Sequence, residues 1–218
     1  MKGAERLIPL QKEFIIYLLP PLLIVIFYLV FRFFTTITSE KDAYLLGMTF
    51  YWIFGCLVPA FLWINSKNRK LLLRIKKINW WQLILILLPV SFAFLFGPFR
   101  QRINEATMMV IMLSLPYACV NSFCEEFLWR GIFYVHHQGN FFHAVFVPSV
   151  WFGIWHYVPL SIQAASIGNL YFILSAVGLG LCWGILTYYT RSIFWSTVSH
   201  ALVDFSGLGA LYYFSQHF

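Results

Sequence analysis

TMMVIMLSLPYACVNSFCEEFLWRGIFYV, residues Thr107–Val135, is an apolar stretch of span length that carries Glu125, Glu126 and Arg130 in its interior. An ionisable side chain at the centre of a membrane helix costs about 2.5–3.5 kcal/mol on insertion scales, and such residues face a bundle interior or a wet cavity. Three of them in one helix imply a polar chamber enclosed by other helices.

The rest of the chain agrees with a membrane setting. Of 218 residues, 61% are hydrophobic and 11% charged, far from the balance of a soluble domain. The apolar stretches are long and continuous instead of alternating over ten-residue segments, so the expected class is all-α, a polytopic transmembrane helical bundle and not a barrel. The formal net charge is +7, but the basic residues concentrate in one short loop, Lys67, Arg69, Lys70, Arg74, Lys76 and Lys77. That pattern marks a cytoplasmic loop placed to touch anionic lipid headgroups. No base-stacking motif or regular basic face accompanies it, so no nucleic-acid partner is expected. The four cysteines, Cys56, Cys119, Cys124 and Cys182, lack CxxC spacing and read mainly as small apolar packers. No cleavable signal is evident, since the first apolar stretch is span-length and lacks a clear small-residue cleavage site.

Windows of about 20 apolar residues place about seven spans, near Phe14–Phe34, Ala43–Ile64, Trp80–Phe96, Thr107–Val135, Phe141–Val158, Asn169–Thr190 and Ile193–Phe214. Pro20-Pro21 is a candidate kink in the first, and Gly97-Pro98 a natural stop for the third. The chain is expected to divide into N-terminal transmembrane helices with the basic loop (1–106) and a helical core (107–218), with four helices in the C-terminal half. If the basic loop is cytoplasmic, the N-terminus, the His136–His143 turn and the Arg191 turn lie inside. Lys2, Arg6, Lys12 and Arg191 agree with this orientation, whereas Arg100 and Arg102 lie outside with Glu105.

Three further polar residues stand out in the last spans: His156 in WFGIWH, and His200 with Asp204 in HALVD. Counted at 1.5 Å per residue from the inner helix ends, Glu125, His156, His200 and Asp204 lie about 12 to 22 Å deep, in one slab. Residues four apart share a helix face, which pairs Glu126 with Arg130 and His200 with Asp204. Arg130 is expected to neutralise Glu126 through a bidentate bond, while Glu125, about 100° round the helix, points into the chamber. An Arg–Glu pair in a span also reads as plain structural glue. His136, His137, His143 and His217 read as interfacial. The nine tryptophans and twelve tyrosines, such as Trp80-Trp81 and Tyr188-Tyr189, read as aromatic belts, and Gly178 and Gly180 as points of close helix contact.

EEFLWR (Glu125–Arg130), FGIWH (Phe152–His156) and HALVD (His200–Asp204) together resemble the EExxxR, FxxxH and HxxxN/D motifs of the CPBP family of intramembrane proteases. That family includes CAAX prenyl endopeptidases and the Abi-like bacteriocin-processing and immunity proteins. The resemblance covers roughly residues 107–214 and implies that Glu125 and His156 activate a water while His200 and Asp204 line the pocket opposite. The chemistry is consistent with that division. Peptide hydrolysis needs a base for the water proton and donors for the developing oxyanion. Glu125 is thus expected as base, His156 as the residue orienting the water, His200 as oxyanion donor, and Glu126 with Arg130 as support. Asp204 stands where some members have Asn, and an ionised Asp accepts only, so its expected part is either a protonated acid or a hold on His200.

Family members are often labelled metalloproteases, and zinc is possible on Glu125, Glu126, His156 and His200. The absence of HExxH and the nearness of Arg130 favour a mechanism with no metal. Cys124 admits two readings, a packing residue or a nucleophile as in the myxosortase-like sorting branch that this arrangement resembles. The expected partners are the lipid bilayer and a membrane-associated, lipidated or C-terminally tagged protein substrate, in a multi-pass membrane location. Two other functions remain open to a reader of the sequence: a non-catalytic scaffold or immunity protein, and a transporter or proton channel with a carboxylate–histidine relay. Against the last, no broken helices recur in repeated halves.

Overall fold

Pro20 and Pro21 fall inside the first apolar stretch without ending it, and helix α1 runs unbroken over Leu10–Ile37. The computed structural model describes residues 10–97, 99–104, 106–163 and 168–209. Lys2, Arg6, Glu105, His217 and the side chain of Lys12 lie outside that description, as does the last expected span beyond residue 209. Ser39 caps the next helix by accepting the Asp42 amide at 3.2 Å, and α2 runs over Glu40–Trp63 through a π-helical segment at Tyr51–Leu57. Asn65 caps the short amphipathic α3, Ser66–Leu72. Asn79 and Gln82 form a reciprocal capping box at the start of α4, Trp80–Phe96, which stops at Gly97 as expected. Thr107 caps α5, Met108–His136. Helix α6 covers residues 142–160 in consecutive π and α segments. α7 spans Asn169–Thr190 and ends on Arg191 in the left-handed region, φ 57°; α8 is Phe194–Ser206.

Helices occupy all seven stretches expected to be spans, and no strand occurs among the described residues. The protein is an all-α integral membrane protein. Four helices are long and apolar enough to cross a bilayer on their own: Ile15–Ile37, Glu40–Trp63, Met108–His136 and Asn169–Thr190. Trp80–Phe96 is shorter, and α6 and α8 are interrupted or shorter still, so length and apolarity support four crossings where the sequence windows suggested about seven.

Hydrogen bonds gather the expected inner loops on one face. Ser192 Oγ reaches the carbonyl oxygens of Leu72 at 2.8 Å and Arg74 at 2.6 Å, and Trp195 Nε1 donates to Lys76 O at 2.7 Å. These contacts clip the basic loop to the Arg191 turn. His136 Nε2 lies 3.2 Å from Trp63 O, and Tyr17 OH 2.6 Å from His143 Nδ1, which adds the His136–His143 turn and the start of α1. Those histidines are therefore cross-links between helix ends, and His137 is buried. At the opposite end Arg102 Nη1 donates to Gly207 O at 2.6 Å.

The aromatic residues divide in a way that a belt does not describe. Trp80 is 74% exposed and Trp81 meets Tyr189 edge-on, but Trp129, Trp155, Trp183 and Tyr51 are fully buried. Tyr51 stacks on Trp155 with ring centroids 3.7 Å apart, Trp129 Nε1 donates to Tyr51 OH at 2.9 Å, and Phe27 and Phe31 meet Trp155 edge-on. This cluster joins α1, α2, α5 and α6; such rings enter an apolar interior when their N–H and O–H groups find partners there.

Close helix contact is set by glycine, though not by both expected residues. A Cβ on Gly180 would stand 3.2 Å from Ser149 and from Arg130 Nη2, whereas one on Gly178 would meet nothing within 4 Å. At Gly153 a Cβ would run into Val177 Cγ2 and approach Ile173 O to 2.9 Å, a backbone atom of α7 that cannot rotate away. Gly153→Ala is therefore expected to destabilise the detergent-solubilised protein by about 1–3 kcal/mol in thermal unfolding, while Gly178→Ala, in open space on a helix, is neutral or stabilising.

Candidate active site

Glu125 and Glu126 close the regular part of α5, and the helix widens into a π segment at Phe127–Ile132 immediately after them. Such π segments occur often at functional sites because they re-aim side chains without breaking the helix. All three charged residues of the span are buried. Arg130 Nη1 lies 3.1 Å from Glu126 Oε1, so the expected pair forms. It is not the expected bidentate bond: one guanidinium nitrogen meets one carboxylate oxygen, and the same Oε1 also receives His200 Nδ1 at 3.0 Å. The guanidinium instead lies over the Phe152 ring, 4.3 Å from its centroid, and 5.5 Å from that of Trp183. Cation–π contact of this kind strengthens when desolvated.

Helix α8 brings His200 and Asp204 against α5. With Nδ1 held by Glu126, the other nitrogen, Nε2, stands 3.5 Å from both Glu125 Oε2 and Asp204 Oδ1. The residue that holds His200 is thus Glu126, while Asp204 faces the same nitrogen as Glu125. Trp183 of α7 stacks on the imidazole with centroids 3.9 Å apart and planes 16° apart. Its own Nε1 donates to Ser199 Oγ at 3.1 Å, and that hydroxyl donates to Ile86 O of α4 at 3.0 Å. Both the plane and the tilt of His200 are therefore set by neighbours on α4 and α7.

His156 ends the α6 segment Val147–Trp155 and is half-buried. Its Nδ1 lies 2.7 Å from Phe152 O; a carbonyl only accepts, so Nδ1 carries the hydrogen and Nε2 keeps the lone pair. Among the described residues no polar contact joins His156 to the three carboxylates. It is linked to them through Phe152, whose ring meets His156 edge-on at 4.7 Å and His200 edge-on at 5.7 Å. Glu125, Glu126, His200 and Asp204 thus touch directly, and His156 stands one ring away.

Two residues without a place in the sequence reading enter the site. Asn121 Nδ2 lies 3.2 Å from Glu125 Oε2 and 2.8 Å from Asp204 Oδ2, and its Oδ1 accepts from Trp52 Nε1 of α2 at 2.8 Å. Asn121 sits four residues before Glu125, a helical spacing that could have flagged it. Trp52, in the N-terminal half, had no signal. Cys124 is 3% exposed and belongs to the main hydrophobic cluster, with no hydrogen bond to a base among the described residues.

The possible zinc set does not gather as ligands. Among the described residues no group of three or more His, Cys, Asp or Glu side chains is disposed to hold a metal. Glu126 Oε1 is already shared by Arg130 and His200, and a dication there would stand against a guanidinium. The residues as placed do not fit a zinc ion.

A protein-family model described as type II CAAX prenyl endopeptidase Rce1-like matches residues 79–206, from the start of α4 to the end of α8. The chain belongs to this family. The match begins upstream of the boundary expected at residue 107, and the structure gives a reason, since α4 carries the carbonyl that fixes Trp183 beneath His200. No curated protein and no solved structure matches the chain. Membership supports a membrane protease, a hydrolase acting on a membrane-associated substrate.

Removal of one partner of a buried ion pair leaves an uncompensated charge and costs about 3–5 kcal/mol. Arg130→Met is accordingly expected to lower thermal stability in detergent by that order, and adding Glu126→Gln to it to recover part of the loss.

Proposed function

We propose that the protein is an intramembrane endopeptidase that hydrolyses a peptide bond of a lipidated or C-terminally tagged membrane protein, with Glu125 as a metal-free general base. The observation that carries this reading is the Glu125 carboxylate, buried within a membrane helix and faced by His200 Nε2 at 3.5 Å. One carboxylate oxygen takes a proton from water while the water oxygen attacks the scissile carbonyl carbon. The lone pair of His156 Nε2 supports orientation of that water, since Nδ1 is committed to Phe152 O. With Nδ1–H given to Glu126, His200 in its protonated form carries a second hydrogen on Nε2, whose carboxylate neighbours stand 3.5 Å away, and this N–H suits donation to the oxyanion. Collapse of the tetrahedral adduct breaks the C–N bond, and Glu125 returns its proton to the leaving amine. Asp204 lines the pocket beside His200, and Glu126 with Arg130 keeps Nδ1 occupied, so that Nε2 is the nitrogen turned to substrate.

The test is cleavage of a farnesylated, C-terminally CAAX-type fluorogenic peptide by purified protein in liposomes. Glu125→Ala and His156→Ala are expected to lower kcat/KM at least about 100-fold, within the range of general acid–base contributions. His200→Ala is expected to fall about 100- to 1,000-fold, the effect of one oxyanion donor. A divalent-metal chelator leaves the rate unchanged, and Cys124→Ser stays within threefold of wild type. Equal cleavage by wild type and Glu125→Ala would overturn the reading in favour of a scaffold, and loss on Cys124→Ser would transfer it to the thiol.

A further inference from the structure

Four side chains of the site close a ring. Asn121 Nδ2 reaches Glu125 Oε2 at 3.2 Å and Asp204 Oδ2 at 2.8 Å, and on the other side His200 Nε2 stands 3.5 Å from Glu125 Oε2 and from Asp204 Oδ1. Two carboxylates thus alternate with two groups that donate, the Asn121 amide and, with His200 protonated on both ring nitrogens, its Nε2–H. Two carboxylates brought this close repel unless donors stand between them, and the ring supplies one donor at each gap. The amide orientation is not free. Indole N–H only donates, so Trp52 Nε1 at 2.8 Å requires oxygen at the Oδ1 position, which turns both amide hydrogens towards the carboxylates. Glu125 Oε1 takes part in none of these contacts.

We infer that Asn121, oriented by Trp52, is a positioning residue that pins Glu125 by its Oε2 atom and so presents Oε1 as the oxygen that accepts the proton from water. The inference rests on the proposed hydrolysis for its catalytic meaning, but the ring itself does not. The N-terminal helices gain a part in the chemistry through it, since α2 sets the amide and the amide sets the base.

The experiment compares wild type, Asn121→Asp, Asn121→Ala, Trp52→Phe and the double variant Asn121→Ala/Trp52→Phe in liposomes on the same farnesylated peptide and by thermal unfolding in detergent at pH 7. Asn121→Asp removes both donors and adds a third carboxylate; kcat is expected to fall at least 30-fold with KM within twofold, and the melting temperature to drop by several degrees. Asn121→Ala lowers kcat by a similar factor, and adding Trp52→Phe to it lowers kcat no further, because the indole acts on the base only through the amide. Trp52→Phe releases the amide and lowers kcat several-fold with KM unchanged. Additive losses in the double variant, or a wild-type kcat for Asn121→Asp, would overturn the inference while leaving the protease reading intact. If wild type does not cleave the peptide, the protease reading fails on that substrate. Non-additive losses of melting temperature in the Asn121→Ala and Trp52→Phe pair then uphold the contact, and additive losses remove it.

Discussion

The C-terminal half is arranged around the need to hold two buried carboxylates, Glu125 and Glu126, beside a half-buried third, Asp204. Glu125, Glu126 and Asp204 lie between α5 and α8 with His200, Arg130 and Asn121 among their donors. In an apolar interior each unpaired charge costs several kcal/mol, and paired geometry recovers that only when it is good. The two helices therefore cannot slide or rotate against each other independently. Glu126 between Arg130 and His200, and Asn121 between Glu125 and Asp204, are cross-helix pins that fix the register.

Around these pins stands an aromatic frame. Trp183 lies flat under His200, and Phe152 gives its ring face to Arg130 while making edge contacts with both histidines. Each ring is itself anchored. Trp183 is tied through Ser199 to the backbone of α4, and Phe152 packs on Trp129, which donates to Tyr51. The chain of contacts leads from the imidazoles to the first two helices, so the N-terminal half is a support of the site and not an appendage. A catalytic constellation held by packed rings and hydrogen bonds stays in place without large rearrangement when substrate arrives.

The membrane class, the helical segments and the three motifs were legible because each is a local pattern: span-length apolar runs, four-residue spacing, and charge where lipid disfavours it. The pairs Glu126–Arg130 and His200–Asp204 followed from spacing alone. What helical spacing could not reveal was which partner would win when several compete. His200 Nδ1 goes to Glu126 instead of Asp204, and Arg130 meets that same Glu126 oxygen through one nitrogen while its guanidinium lies over Phe152. The number of crossings is not fixed by windows of apolarity: all seven hold helix, four of them long and apolar enough to cross by themselves, while α6 and α8 are too short or too interrupted to be judged by length.

By itself the sequence determined that this chain is a bundle of membrane helices carrying acids and imidazoles at similar depth, for apolar length and residue spacing are properties of one segment at a time. Only the tertiary structure decided that Asn121 and Trp52 join those groups, that His156 stands one ring away from the carboxylates, and that Trp129, Trp155 and Trp183 lie inside and not at the lipid surface. The reason is physical: a hydrogen bond or ring stack between helices 69 to 83 residues apart in sequence leaves no periodic trace in either helix, and exists only once the two are packed.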